Sequence, residues 1–252
     1  KRIPPPSKEN LKEVLSLLRT FLDYGNIAGF IYEPLVQGAA AMQMHDAKGL
    51  GEILKLLKEH NVVTIADEVM TGFGKTGTHF ASDQIDTKPD VICMSKALTA
   101  GLIPMAITSC TQEVYDAFYS DEIAKGLFHG HTYTANPLAC TAALAGLELL
   151  QSKEIQENIV RIMKSHQAFD TRIKNHPKVA RTRQTGIIYA LDLNIETERY
   201  GNLRDKLMQH FMERGVFLRP LGSTIYITAP YIVSDTQLEQ IYSAIESVFD
   251  IV

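Results

Sequence analysis

The sequence predicts an α/β protein built on a mostly parallel sheet and followed by a smaller α+β unit. Three observations predict it. Short apolar runs alternate with amphipathic helical stretches through the first 150 residues. Past His176-Pro177 the pattern changes to strands mixed with helices. Three of the early apolar runs also end at a residue able to do chemistry: Glu33, Asp67 and Lys96. In open parallel sheets, ligands collect beyond the carboxyl ends of the strands.

Each element has its own signal. Residues 9–23 place Leu11, Val14, Leu15, Leu18, Phe21 and Leu22 on one helical face. Residues 27–33, IAGFIYE, form a short strand stopped by Pro34, which cannot donate to a ladder. Residues 48–60 are helical, with Leu50, Ile53, Leu54 and Leu57 three and four apart. Strands follow at 62–66, 91–94 and 106–110. Asn136 is a good N-cap and Pro137 is tolerated at the first helical position, so a helix opens there and runs to about 151. A second helix continues to about Lys174. Strands at 186–193, 216–219 and 224–229 and helices at 202–214 and 235–249 complete the chain. The expected division is residues 1–150 and residues 151–252.

Composition limits the function. Hydrophobic residues make up 45% and charged residues 21%, which excludes a disordered chain. Net charge is −4, and no run of like charge reaches five, so neither a nucleic-acid nor a membrane partner is expected. Cys93, Cys110 and Cys140 form no close pair, which argues against a disulfide framework and a zinc site and for a reducing cytoplasm. The opening KRIPPPSKEN has the extended character of a connector, and the chain is expected to be the C-terminal part of a longer protein.

Lys96 stands in MSKALTAG, just past a strand. It is either a solvated lysine or a partly desolvated amine with a lowered pKa, able to form a Schiff base. Asp67 is either a structural hydrogen-bonding group or an acid that holds a positive charge such as a protonated pyridine. An amine and an acid so paired are what a protein offers to pyridoxal 5'-phosphate. Glu68 points to the opposite side from Asp67 and reads as structural. GFGKTG fits neither common nucleotide-loop pattern and reads as a loop shaping the site. HGHTYTANP precedes a helix, where Thr132 and nearby amides suit an anion. His129 and His131 have no third ligand nearby, so no metal is expected. Arg219, fixed before Pro220, suits a carboxylate.

EPLVQGA, IADEVMTGFGKTG, SKALTAG and HGHTYTANPLACTAALA, in that order, resemble the class III pyridoxal-phosphate aminotransferases of fold type I. The likeness covers essentially the whole chain but only the C-terminal part of such an enzyme. It implies residues 1–150 as part of the large cofactor-binding domain and 151–252 as the small C-terminal domain. It implies a cofactor, pyridoxal 5'-phosphate, with Lys96 as covalent anchor, Asp67 on the pyridinium nitrogen and Val69 against the ring. His131 and Thr132 would reach the phosphate bound by the other subunit of a homodimer with shared active sites. Gly130 would lie against the substrate, and Arg219 would bind the keto acid's carboxylate.

Two departures narrow the branch. Many relatives that use 2-oxoglutarate carry glutamate where this chain has Ala39, and many carry glutamine where it has Met70. The resemblance therefore implies transamination of 8-amino-7-oxononanoate to 7,8-diaminononanoate in biotin biosynthesis. S-adenosylmethionine is the expected amino donor, with lysine as the alternative. A class III enzyme for ω-amino acids or amines, or a non-catalytic fragment, are the other readings.

Overall fold

A computed structural model describes residues 1–195 and 202–252. It divides the chain into two compact units. One comprises Lys1–Val36, His45–Phe73 and Thr78–Leu150; the other comprises Gln37–Met44, Gly74–Gly77 and Gln151–Val252.

The first unit is built on a four-stranded sheet of β1 (Gly29–Tyr32), β4 (Val63–Asp67), β5 (Val91–Met94) and β6 (Ile107–Cys110), in that order. β1 and β5 both run parallel to β4, whereas β6 is antiparallel to β5. Thr64 and Ala66 of β4 are fully buried while Val63 is partly exposed, the alternation of a half-buried strand. Asp90 locks the start of β5 to β4 by accepting from Thr64 N at 2.8 Å and Thr64 Oγ1 at 2.7 Å.

Helix α1 (Leu11–Asp23) buries Val14, Leu18 and Leu22, a strict i, i+4 stripe. Helix α2 (Ala47–Glu59) begins at Asp46, whose carboxylate accepts from Gly49 N at 2.7 Å, and it buries Leu50, Ile53, Leu54 and Leu57. Helix α3 is short (Gln112–Asp116). Helix α4 (Pro137–Gln151) starts as expected: Asn136 Oδ1 accepts from Leu138 N at 2.9 Å and Ala139 N at 3.3 Å. A ribbon of β2 (Val36–Gln37) and β3 (Gln43–Met44) brackets residues 38–42.

In the second unit, β7 (Val179–Thr185), β8 (Ile188–Leu193) and β9 (Thr224–Ile227) form an antiparallel sheet. Helices α5 (Lys153–Ile173), α6 (Asn202–Glu213) and α7 (Asp235–Glu246) complete the unit. Its core joins Phe169, Tyr189 and Tyr242, with Phe169 stacked on Tyr242 at a centroid distance of 4.2 Å. His166, fully buried, ties α5 to α7 through Tyr242 Oη at 2.7 Å and to Ile187 O at 3.1 Å.

Three expectations need correction. Residues 216–219 form no strand. Val216 and Leu218 do point inward and Phe217 and Arg219 outward, but among the described residues only the single bridge Leu221–Thr224 follows, and Pro220 removes a donor. The strand expected from 186 begins at Ile188, because Gly186 is left-handed (φ 59°) and turns the hairpin. β7, VARTRQT, was not expected; its polar side chains give no apolar alternation.

Candidate functional site

Asp67 is the last residue of β4 and pairs in register with Cys93 of β5. Lys96 lies three residues beyond Cys93. Parallel neighbours end at the same sheet edge, so one edge carries both a carboxylate and a primary amine. Glu33 follows β1 at that edge, and its carbonyl accepts from His45 Nε2 at 2.9 Å.

The Lys96 backbone is left-handed, at φ 43°. A non-glycine residue there costs on the order of 1–2 kcal/mol, and such strain gathers at functional positions. Hydrogen bonds across the loop hold it: Ser95 Oγ donates to Met105 O at 2.7 Å, and Thr99 Oγ1 donates to Ile103 O at 2.6 Å. Lys96 is exposed in the chain alone.

Asp67 Oδ1 accepts from Val69 N at 3.1 Å, which turns the chain back after the strand. Glu68 is fully buried and structural, as its alternation with Asp67 implied. It accepts from Thr71 Oγ1 at 2.6 Å, Ser82 N at 2.7 Å and Ala81 N at 3.1 Å. These bonds fasten the polypeptide after Asp67 to a 3-10 turn at Ala81–Gln84. Val69 and Met70 are half-buried in the same turn.

Gly130, His131 and Thr132 lie in an exposed loop before α4. Thr134 closes it, its N donating to His131 O at 2.9 Å and its Oγ1 accepting from His131 N at 3.0 Å. Among the described residues no hydrogen bond joins this loop to Asp67 or Lys96. Helix α4 nevertheless packs beside the lysine turn, since a Cβ on Gly146 would sit 3.4 Å from Leu98 O. No cluster of three or more metal-ligating side chains occurs among the described residues.

The second unit holds Arg219, exposed beside an open cleft of about 690 Å3 lined by Phe217, Tyr226, Ile232 and Gln240. Residues of GFGKTG also belong here. Lys75 Nζ sits 4.6 Å from the Tyr231 ring centroid, and burial lowers its pKa to about 8. Ile187 N donates to Lys75 O at 3.0 Å, and a Cβ on Gly186 would collide with residues 75–77. Arg183 escaped the sequence reading because its strand carried no pattern. It is almost wholly buried, with a side chain 8% exposed.

An aldehyde-bearing pyridine needs an amine and an acid at one edge, and the pair Asp67 and Lys96 has that chemistry. No helix among the described residues is long and apolar enough to cross a membrane.

The model of the aminotransferase class-III family matches residues 5–249. Adenosylmethionine-8-amino-7-oxononanoate aminotransferase of Synechococcus elongatus is 43% identical over 90% of this chain and 53% of its own length. The protein of the same name from Helicobacter pylori is 32% identical over 98% of this chain and 58% of its own. The chain thus spans little more than half the length of these relatives. Among solved structures, an amine transaminase from an uncultivated Pseudomonas species in a PLP-bound form superposes with a TM-score of 0.88 at 26% identity. That match covers 97% of this chain and 57% of the other. An adenosylmethionine-8-amino-7-oxononanoate aminotransferase from Methanocaldococcus jannaschii gives 0.87 at 30% identity, covering 97% and 59%. The chain belongs to the class III aminotransferase family.

Proposed function

We propose that the chain forms the Lys96-bearing part of a pyridoxal 5'-phosphate-dependent aminotransferase that converts 8-amino-7-oxononanoate to 7,8-diaminononanoate in biotin biosynthesis. The observation that carries this reading is that Asp67 ends β4 and Lys96 follows two residues after the end of its parallel neighbour β5. The relatives' names support the substrate. Ala39 and Met70 support it as well, the first standing where many relatives that use 2-oxoglutarate carry glutamate and the second where many relatives carry glutamine.

Residues 1–150 contribute to the large cofactor-binding domain, and 151–252 form the small domain. When bound, pyridoxal phosphate supplies an electron sink for a carbon losing its proton. Lys96 anchors the cofactor through its amine. Once free, the same amine takes a proton from the donor's reacting carbon and returns one to the acceptor's, acting as base and then acid. The Asp67 carboxylate holds a proton on the ring nitrogen, and Val69 packs against the ring. His131 and Thr132 serve the phosphate of a second copy in a homodimer, Gly130 lies against the substrate and Arg219 grips the keto acid's carboxylate. Exposed Leu138 and Leu149, eleven residues apart and so on one side of α4, support an apolar face covered in the assembly. S-adenosylmethionine is the proposed donor.

The test is amine transfer to 8-amino-7-oxononanoate with S-adenosylmethionine or lysine as donor, by the holoenzyme and by Lys96→Ala. The wild type should turn over repeatedly with S-adenosylmethionine and the variant should not. Near-normal turnover by Lys96→Ala sinks the catalytic assignment. Transfer only to small ω-amino substrates favours a different class III activity.

A further inference from the structure

Residues 38–42, which join β2 to β3, contain two consecutive non-glycine residues in the left-handed region, Ala41 (φ 58°) and Met42 (φ 55°). Neither carries a side chain that stabilises this conformation locally, as asparagine or aspartate can. Two backbone bonds close the turn, Met42 N to Gly38 O at 3.3 Å and Gln43 N to Ala40 O at 3.2 Å, and both are long. The strain therefore needs support from elsewhere.

Arg183 supplies it. Its Nε donates to Met42 O at 2.8 Å, and Nη2 donates to Ala41 O. The planar guanidinium thus grips the two carbonyls of the strained pair with two parallel donors. The side chain is itself fixed by the sheet. Asp192 Oδ2 lies 2.8 Å from Arg183 Nη1, an ion-pair contact without good hydrogen-bond angles. Thr224 Oγ1 donates to Asp192 Oδ1 at 2.7 Å, and Arg181 Nη2 donates to Asp192 Oδ2 at 3.0 Å. Arg181 and Arg183 of β7, Asp192 of β8 and Thr224 of β9 thereby form a single network aimed at the loop. Burial raises the Asp192 carboxyl, but bonds from Arg183 and Thr224 outweigh it, so the group stays below the ordinary range and charged.

We propose that Arg183 is a positioning residue for the transamination: it holds residues 38–42, the turn between β2 and β3, in one strained conformation that substrate binding uses. This rests on the proposed function for its kinetic consequence only. In sequence this turn follows β1 and the short strand β2, and polypeptide that follows the carboxyl ends of parallel strands is where ligand sites form.

Two measurements on the purified protein, with the variants Arg183→Lys and Arg183→Lys/Ala41→Gly, test it. Lysine keeps the charge but cannot span both carbonyls. In Arg183→Lys, amide hydrogen exchange at Met42 and Gln43 should quicken about tenfold while the β8 amides stay protected. KM for the keto acid should rise about tenfold with kcat within about threefold. Adding Ala41→Gly should restore much of the KM, because glycine adopts the left-handed backbone without cost. Unchanged exchange at Met42 and Gln43 overturns the proposal. So does a loss in kcat and KM that Ala41→Gly leaves untouched. Should Arg183→Lys unfold the unit, Asp192→Asn must reproduce the faster local exchange, or the proposal fails. If wild type shows no transamination, exchange still decides the clamp, and the functional reading fails separately.

Discussion

Gly186→Ala offers a direct test of how the second unit is packed. Gly186 is left-handed at φ 59°, and an added Cβ would lie 2.2 Å from Thr76 C, 2.4 Å from Lys75 O and 2.5 Å from Gly77 N. The conformation alone costs an alanine about 1–2 kcal/mol. Backbone atoms cannot rotate aside as a side chain does, so relief requires shifting the whole 75–77 segment, a further cost of about 1–3 kcal/mol. The shift would also stretch the 3.0 Å bond from Ile187 N to Lys75 O. Together the loss should reach about 2–5 kcal/mol. Gly25 supplies the control: it too is left-handed, at φ 69°, but nothing lies within 4 Å of its added Cβ. Gly25→Ala should therefore cost only the conformational share, about 1–2 kcal/mol. The assay is urea unfolding of both variants followed by circular dichroism, with exchange of the Ile187 amide as a local reporter. If the two variants lose the same stability within about 0.5 kcal/mol, the close approach of Gly186 to residues 75–77 is wrong.

Other substitutions test single groups. His166 is buried neutral, its pKa driven down from 6.5 to about 4 chiefly by burial. The unfolded chain therefore binds the extra proton first as pH falls through that window, and stability should drop by about 3 kcal/mol between pH 6.5 and 4. His166→Asn should flatten that slope in urea titrations, and an unchanged slope would assign the loss to other groups. Glu68→Ala should destabilise the first unit by about 3–5 kcal/mol, because Thr71 Oγ1 and the amides of Ala81 and Ser82 lose a buried acceptor; a loss under about 1 kcal/mol would mean water replaces it. Asp67→Asn should slow the proton-transfer half-reaction on the order of thousandfold in stopped flow, equivalent to about 4 kcal/mol. A rate close to wild type would leave Asp67 as a turn-forming residue only. Arg219→Lys should weaken keto-acid use more than donor use, since lysine loses the guanidinium's bidentate fork; equal losses in kcat/KM would assign Arg219 a structural role.

Much of the fold was legible because its elements carry period and punctuation. The apolar stripe of α1, the Asn136-Pro137 start of α4 and the short runs ending at Asp67 and before Lys96 all follow from local chemistry. β7 was hidden because Arg181, Arg183 and Gln184 make an edge strand polar on both faces. Residues 216–219 misled for the opposite reason: their alternation is real, yet a ladder requires a neighbour that local sequence cannot supply. Asp67 and Lys96 were readable as strand-end residues. The work of Arg183 was not, since its partners at 41, 42 and 192 are distant in sequence and two of them are backbone carbonyls. No residue type marks those in advance. Left-handed Ala41, Met42 and Lys96 break local preference as well, and local rules are most often broken where function requires it.

The central claim is that Lys96 is the amine that anchors pyridoxal 5'-phosphate. Its most direct test is borohydride reduction of the protein loaded with the cofactor, followed by peptide mass spectrometry. A phosphopyridoxyl group on the peptide containing Lys96, absent from Lys96→Ala, is the predicted result. A stable adduct confined to another lysine, such as the half-buried Lys75, or no adduct in protein that transaminates, would contradict it.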